Sequence, residues 1–147
     1  MNIRKAAAKD FKELYELGRK TPELQVSATE DFMDPDEFEF SITSKDSVFL
    51  TAEEDNKLIG FIYASLNDAE KPYKNKYACI VYIVVSPEYR KKGVAIELYN
   101  ECEKIVKKMK VQFLYGWANE TSGVIEFLKK QGFNEGHSYK WMDKKIN

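Results

Sequence analysis

Histidine occurs once and cysteine twice in these 147 residues. That leaves too few imidazole or thiolate donors for a zinc-type centre and too few half-cystines for a disulfide scaffold. No metal site is expected, and Cys79 and Cys102 read as reduced, small hydrophobes. No apolar run approaches the ~18 residues of a membrane span. Met1–Asp10 lacks the apolar centre of a secretory signal, so a soluble, cytoplasmic protein with no membrane partner is expected. Linkers, internal repeats and low-complexity tracts are missing, and residues 1–147 read as a single domain of ordinary size. Excess charge is missing too. The 23 basic and 24 acidic groups nearly cancel, which argues against a nucleic-acid partner.

What is present is enough apolar material for a core, at 44% hydrophobic and 14% aromatic. The charge is unevenly placed: residues 1–72 carry 9 bases and 16 acids, and residues 73–147 carry 14 and 8. Such polarity suits one face for an anion and another for a cation, or simply a solvated surface. Asn2–Lys5 reads as a short strand and Asp10–Arg19 as a helix with Gly18 weakening its end. Thr21–Phe40 holds seven acids and no base, and reads as an irregular helix interrupted at Pro35. Val48–Glu53 and Leu58–Leu66 form a hairpin about Glu54–Lys57, and a loop covers Asp68–Asn75. Tyr77–Val85 (YACIVYIVV) is a strand buried on both faces. Val94–Met109 is an amphipathic helix, Val111–Trp117 a strand, Val124–Gln131 a helix stopped by Gly132, and Ser138–Met142 a final strand. This order predicts an α/β (α+β) chain with a mixed, mostly antiparallel sheet and helices on both faces.

Chemistry concentrates in Val85-Ser86-Pro87-Glu88-Tyr89-Arg90-Lys91-Lys92-Gly93-Val94-Ala95. A buried strand stops at proline, a basic turn follows, and a glycine opens a helix. The helix start offers unpaired N–H groups and the positive end of the dipole, an arrangement suited to a phosphate. Gly93 leaves backbone room for a ligand, Ala95 keeps the first turn thin, and Arg90, Lys91 and Lys92 add charge. An exposed basic turn before an ordinary helix fits the same residues. Neither the G-x-G-x-x-G nor the G-x-x-x-x-G-K phosphate motif is present.

These residues resemble the GNAT superfamily of N-acetyltransferases, whose signature (Gln/Arg)-x-x-Gly-x-(Gly/Ala) follows a strand ending in Val-x-Pro. Here it stands as Val85-Ser86-Pro87 and Arg90–Ala95. The likeness continues in Ile3-Arg4 with Asp10, Leu14 and Leu17, in Leu58-Ile59-Gly60-Phe61, and in Glu126–Phe133 with its Gly-Phe ending. It implies a GNAT-like fold and acetyl-CoA as co-substrate. It also implies that the backbone of Arg90, Lys91, Lys92, Gly93, Val94 and Ala95 wraps the pyrophosphate. Ile83, Val84 and Val85 would pair with the pantetheine arm where the fourth and fifth strands splay apart. A backbone N–H near Val84 or Val85 would polarise the thioester. Asn119 resembles the asparagine that contacts the cofactor after the fifth strand, and is equally readable as a turn residue.

The resemblance implies direct attack of an amine on the thioester, but the family's acid and base are not matched. The usual tyrosine is Leu128, and the usual strand carboxylate falls on Val81 or Cys79. Tyr82 has the wrong side-chain parity unless the strand is bulged. Tyr77, Glu120 and His137 stay open, so the catalytic residues are unassigned. The region between the first two helices lines the acceptor side in the family. Its acids here, Asp31, Asp34 and Glu37 among them, suggest a cationic acceptor such as a polyamine, a lysine side chain or a basic peptide. An N-acetyltransferase acting on a small-molecule or peptide amine is the leading expectation. A non-catalytic acyl-CoA-binding module on the same fold is the alternative, and a nucleotide-binding protein of another family fits only the anion turn. Trp117 and Trp141 read as core or interface residues, and the exposed ends of the fifth and last strands as homodimer surfaces.

Overall fold

A computed structural model describes residues 1–30, 32–66 and 76–147. Five strands form one sheet in the order β1 (Asn2–Lys5), β2 (Ser47–Glu54), β3 (Lys57–Ser65), β4 (Tyr77–Val85) and β5 (Phe113–Gly116). The first three pairings are antiparallel and the last is parallel. The β2–β3 hairpin turns at Asp55 and Asn56, both left-handed at φ 51 and 61. Two such residues in succession, of types that tolerate the left-handed region, make the tight turn whose twist suits a hairpin. The expected loop at Asp68–Asn75 lies outside the described residues.

Helices cover both faces, as the pattern predicted. On one side α1 (Phe11–Arg19) and α2 (Pro35–Thr43) enclose Leu14, Phe38, Ile42, Phe49 and Phe61. Phe38 is the hub, with its ring centroid 5.4 Å from those of Tyr15, Phe32 and Phe49. On the other side α3 (Val94–Lys108) packs Leu98, Cys102 and Val106 onto Ile59, Ile62 and Ile80. Burial drives the Cys102 thiol up to about 12, so it stays a packed thiol. The short α4 (Val124–Lys130) sets Phe127 against Tyr99.

Three expectations differ from the structure. Pro35 opens α2 instead of interrupting a helix, because Asp34 Oδ1 caps it by accepting from Asp36 N at 2.9 Å and Glu37 N at 3.2 Å. A proline at the first helical position costs no hydrogen bond. Gly18 does not weaken the end of α1; it lies inside the helix, buried beneath the Phe32 ring. Ser138–Met142 forms no strand: the residues after Gly132 carry no helix or strand, and β5 has β4 as its one partner among the described residues.

Candidate active site

The β4–β5 pairing is short. It runs from Tyr77↔Phe113 to Ile80↔Gly116 and stops, while β4 continues to Val85 alongside β3. Gly116 marks the end: a Cβ there would come within 2.9 Å of the Ile80 carbonyl oxygen. Glycine therefore permits the last close contact before the chain diverges at Trp117. Beyond it the far edge of Val81–Val85, which includes Ile83 and Val84, has no strand beside it among the described residues. A buried strand edge needs partners for its N–H and C=O groups. An extended chain with amides of its own would meet that need.

At the end of β4, a 3₁₀ turn at Pro87–Tyr89 leads into Arg90–Gly93. Lys91 (φ 60) and Gly93 (φ 85) are both left-handed. Gly93 is the N-cap of α3 and no side chain caps the helix. The N–H groups at its start are left to a ligand or to water, with the positive dipole end behind them. A methyl at Gly93 would meet only Ile96, at 3.9 Å, so the turn is open on that side. Lys91 and Lys92 are exposed, and Lys92 Nζ sits 5.3 Å from the Tyr89 ring centroid. Ala95 is half-buried in the first turn, behind buried Val94.

The Arg90 side chain is engaged within the protein. Its Nε donates to the Val85 carbonyl at 3.0 Å, and its guanidinium faces Glu23, with NH1 3.6 Å from Oε1. One cation of the turn and one carbonyl of the strand are therefore engaged within the protein. Arg90 acts here mainly as a brace between the turn and the strand end. Glu23 lies in a 3₁₀ turn, Pro22–Leu24, just after α1. Its backbone carbonyl accepts from Asn119 Nδ2 at 3.3 Å, and its Oε2 is buried without a hydrogen-bond partner among the described residues. Asn119 also receives Thr121 N and Thr121 Oγ1 on its Oδ1, at 2.9 and 2.7 Å. These bonds realise the turn role. In the sequence Glu23 was legible only as one of the seven acids of Thr21–Phe40, since its partners come from distant segments.

The α1–α2 face, where the resemblance implies the acceptor side, carries an irregularity in β4. A β-bulge interrupts β4, with Tyr63 opposite Tyr82 and Ala64 opposite Ile80. The extra residue is Val81. Both Val81 and Tyr82 consequently pack on the α1–α2 face, the condition under which Tyr82 becomes a candidate. Its ring lies 5.1 Å from Phe32 and 6.5 Å from Tyr63. Burial first, and the neighbouring Tyr63, Tyr15 and Glu37 after it, push its hydroxyl up to about 12. Next to it, an open groove of about 470 Å³ is lined by Met33, Asp36, Glu37, Phe40, Asp46 and Tyr63, among others.

Of the expected acidic residues, Glu37 lines this groove, Asp34 is engaged as the cap of α2, and Asp31 lies outside the described residues. Tyr77 stacks on Phe113 at 5.0 Å, at the paired end of the strands. Glu120 and His137 are exposed. Leu128 is half-buried in α4 and has no proton to give. No group of three or more candidate metal ligands exists among the described residues, and no described helix is long and apolar enough to cross a membrane.

Comparison with known proteins adds the following. The model of the acetyltransferase (GNAT) family matches residues 11–133. An uncharacterized N-acetyltransferase of Methanocaldococcus jannaschii is 29% identical over 99 residues, 67% of this chain and 44% of that protein. The chain thus matches under half the length of that relative. Among solved structures, BH1408 of Bacillus halodurans superposes with a TM-score of 0.80 at 17% identity, covering 98% of this chain and all of that one. The aminoglycoside 6'-N-acetyltransferase AAC(6')-Ig of Acinetobacter haemolyticus gives 0.73 at 23%, covering both chains fully. The PaiA N-acetyltransferase of Thermoplasma acidophilum, solved with coenzyme A, gives 0.71 at 23%, covering 94% and 92%.

Proposed function

Because this chain belongs to the acetyltransferase (GNAT) family, we propose that it transfers the acetyl group of acetyl-CoA to a primary amine of a cationic small molecule or peptide. The observation that carries the reading is the coincidence of two features at one end of β4: a strand edge beyond Ile80 and a helix start at Gly93, neither of which has a strand or side-chain cap against it among the described residues. A molecule with amides in its arm and a diphosphate at its end suits both. The buried, unpartnered Glu23 Oε2 fits the same guest, since it is an acceptor beside the gap and the arm carries N–H donors.

Acetyl-CoA supplies the electrophile, a thioester carbonyl carbon. The Arg90–Ala95 backbone holds the phosphates, and the open edge of Ile83–Val85 orients the arm, with Asn119 closing the far side. Arg90 stiffens the turn through Val85. On the acceptor side the amine nitrogen attacks the carbonyl carbon and an N–C bond forms; the C–S bond breaks with its electron pair leaving on the CoA sulfur, and the proton lost by the amine balances the thiolate released. The Tyr82 hydroxyl keeps its proton at neutral pH, so it serves as a hydrogen-bond donor toward the reacting centre and not as a base. The amine's proton leaves through the groove, whose carboxylates Asp36 and Glu37 also attract the cation. Several fold neighbours are aminoglycoside acetyltransferases, and aminoglycosides are polycationic amines. That supports the acceptor class without naming the acceptor.

The test is thiol release from acetyl-CoA across a panel of polyamines, aminoglycosides, amino acids and basic peptides. Turnover with at least one cationic amine is expected. Leu128, where the family's tyrosine would stand, favours a second reading as a non-catalytic CoA-binding module. That reading predicts CoA binding by calorimetry with no thiol release. Failure to bind CoA removes both. Tyr82→Phe is expected to lower kcat about tenfold, the scale of a charge-assisted hydrogen bond, with KM for acetyl-CoA unchanged. A variant with wild-type kcat removes Tyr82 from the mechanism.

A further inference from the structure

Glu23 touches the chain that leaves β4 and the chain that leaves β5. Its carboxylate meets Arg90, which follows β4, with Oε1 3.6 Å from the guanidinium. Its backbone carbonyl accepts from the Nδ2 of Asn119, which follows β5, at 3.3 Å. The two strands pair no further than Ile80 and Gly116, so both partners come after the point where pairing ends. Arg90 is fixed to its own strand by the bond from Nε to the Val85 carbonyl. Asn119 is fixed to its own loop by the two bonds from Thr121. A third segment thus links the two chains.

That segment is firm on its own side. Glu23 sits in the 3₁₀ turn Pro22–Leu24. Thr21 ties the turn to the end of α1, donating from N to the Gly18 carbonyl at 3.0 Å and from Oγ1 to the Leu17 carbonyl at 2.8 Å. Leu24 N and Gln25 N close the turn on the carbonyls of Thr21 and Pro22, and Leu24 packs against the α1–α2 core. A side chain launched from such a base is well placed to hold others. The carboxylate does little for the fold itself. At 3.6 Å its pair with Arg90 is beyond hydrogen-bond range, and both side chains are partly exposed, a setting in which ion pairs add little. Its Oε2 is buried with no partner among the described residues, which is a cost. An orphaned acceptor of this kind calls for an explanation other than stability.

We propose that Glu23 is a positioning residue for the donor, acting through Arg90 and Asn119 to set the separation of the chains that leave β4 and β5, a role that rests on acetyl-CoA being the donor. Amides of the donor's arm pair with the open edge of β4 only within hydrogen-bond distance. A gap that drifts past roughly 3.5 Å between donor and acceptor atoms loses those bonds. Glu23 is a clamp on that distance. Coulomb's law alone predicts the opposite of a clamp, since removing an acid near the phosphate turn favours an anionic donor.

Titration calorimetry with CoA and thermal melting of the free chain test the clamp together. Glu23→Ala should weaken CoA about five- to tenfold. Its melting temperature should stay level or rise, because the buried orphan oxygen is removed with the weak pair. Glu23→Asp keeps the charge but is one methylene shorter, and it should bind CoA as weakly as the alanine variant. Asn119→Ala frees the other partner. A clamp is lost once either side lets go, so the double variant with Glu23→Ala should bind no more weakly than the weaker single. Affinity and melting temperature that fall together in Glu23→Ala overturn the proposal in favour of a purely structural role. CoA affinity within twofold of wild type, or tighter, overturns it too, as do an aspartate variant at wild-type affinity and losses that multiply in the double variant. A wild-type chain that binds no CoA removes acetyl-CoA as donor and the clamp with it, whereas wild-type binding that the variants leave unchanged removes the clamp alone.

Discussion

Gly93 is the position where one side chain should matter most. Its φ of 85 costs an alanine roughly 1–2 kcal/mol, although the methyl would find space within the chain. Gly93→Ala should lower the melting temperature by about 4 °C. It should also weaken CoA by tenfold or more, because the methyl enters the approach to the helix N–H groups. Calorimetry reads the second effect, and CoA affinity within twofold of wild type would separate the turn from the phosphate. Asp10 carries a different burden. It is buried and accepts from Arg4 at 2.8 and 3.0 Å and from Ala7 N at 2.7 Å. The Arg4 guanidinium, followed by the Ala7 N–H, outweighs burial and holds its carboxyl below the usual range. A depressed carboxylate stabilises the fold above its unfolded pKa of about 3.9, and the gain is lost as pH falls through the lower folded value. Asp10→Asn should therefore cost about 2 kcal/mol at pH 7, and the gap from wild type should shrink below about pH 4. Urea melts across pH check both signs.

Among the elements, α2 depends on Phe38, which is fully buried in a ring cluster with Phe11, Tyr15, Phe32, Phe49 and Phe61. Phe38→Ala should destabilise by about 3–5 kcal/mol, measured by urea unfolding, and loosen the wall that carries Glu37. A loss under 1 kcal/mol would mean that α2 is anchored elsewhere. The same element shows how far patterning reaches. α3 was legible because its apolar residues recur at helical spacing, and β4 because a continuous apolar run is too short and β-branched for a helix. The turn at Arg90–Ala95 was legible as a motif whose residue types each answer a local requirement. The bulge at Val81 was not, because an all-apolar strand hides side-chain parity, and so Tyr82 could not be placed. Pro35 misled because its meaning depends on a cap one residue earlier. Ser138–Met142 has the alternation of a strand, but a strand exists only against a partner. Glu23 and Arg90 meet through tertiary approach alone, which no local pattern encodes.

Over the whole molecule, the acidic excess of residues 1–72 is presented partly along the groove that holds Asp36, Glu37 and Asp46. The basic turn lies elsewhere, at the start of α3. An anionic donor and a cationic acceptor would then be drawn to different regions of one small surface. Such steering acts over the Debye length, about 8 Å at physiological salt and 3 Å at 1 M. Neutralising Asp36 and Glu37 together, as Asp36→Asn with Glu37→Gln, should raise KM for a polyamine about three- to tenfold at low ionic strength. Asp34 is a poor choice for this test, because losing the α2 cap itself costs about 1 kcal/mol. Added salt should raise the wild-type KM toward that of the variant. A monoamine should show a smaller difference, and KM for acetyl-CoA should not rise. Wild-type and variant curves that run parallel from low to high salt would assign these carboxylates to solvation, leaving selection of the amine to the shape of the aromatic wall at Tyr63 and Tyr82.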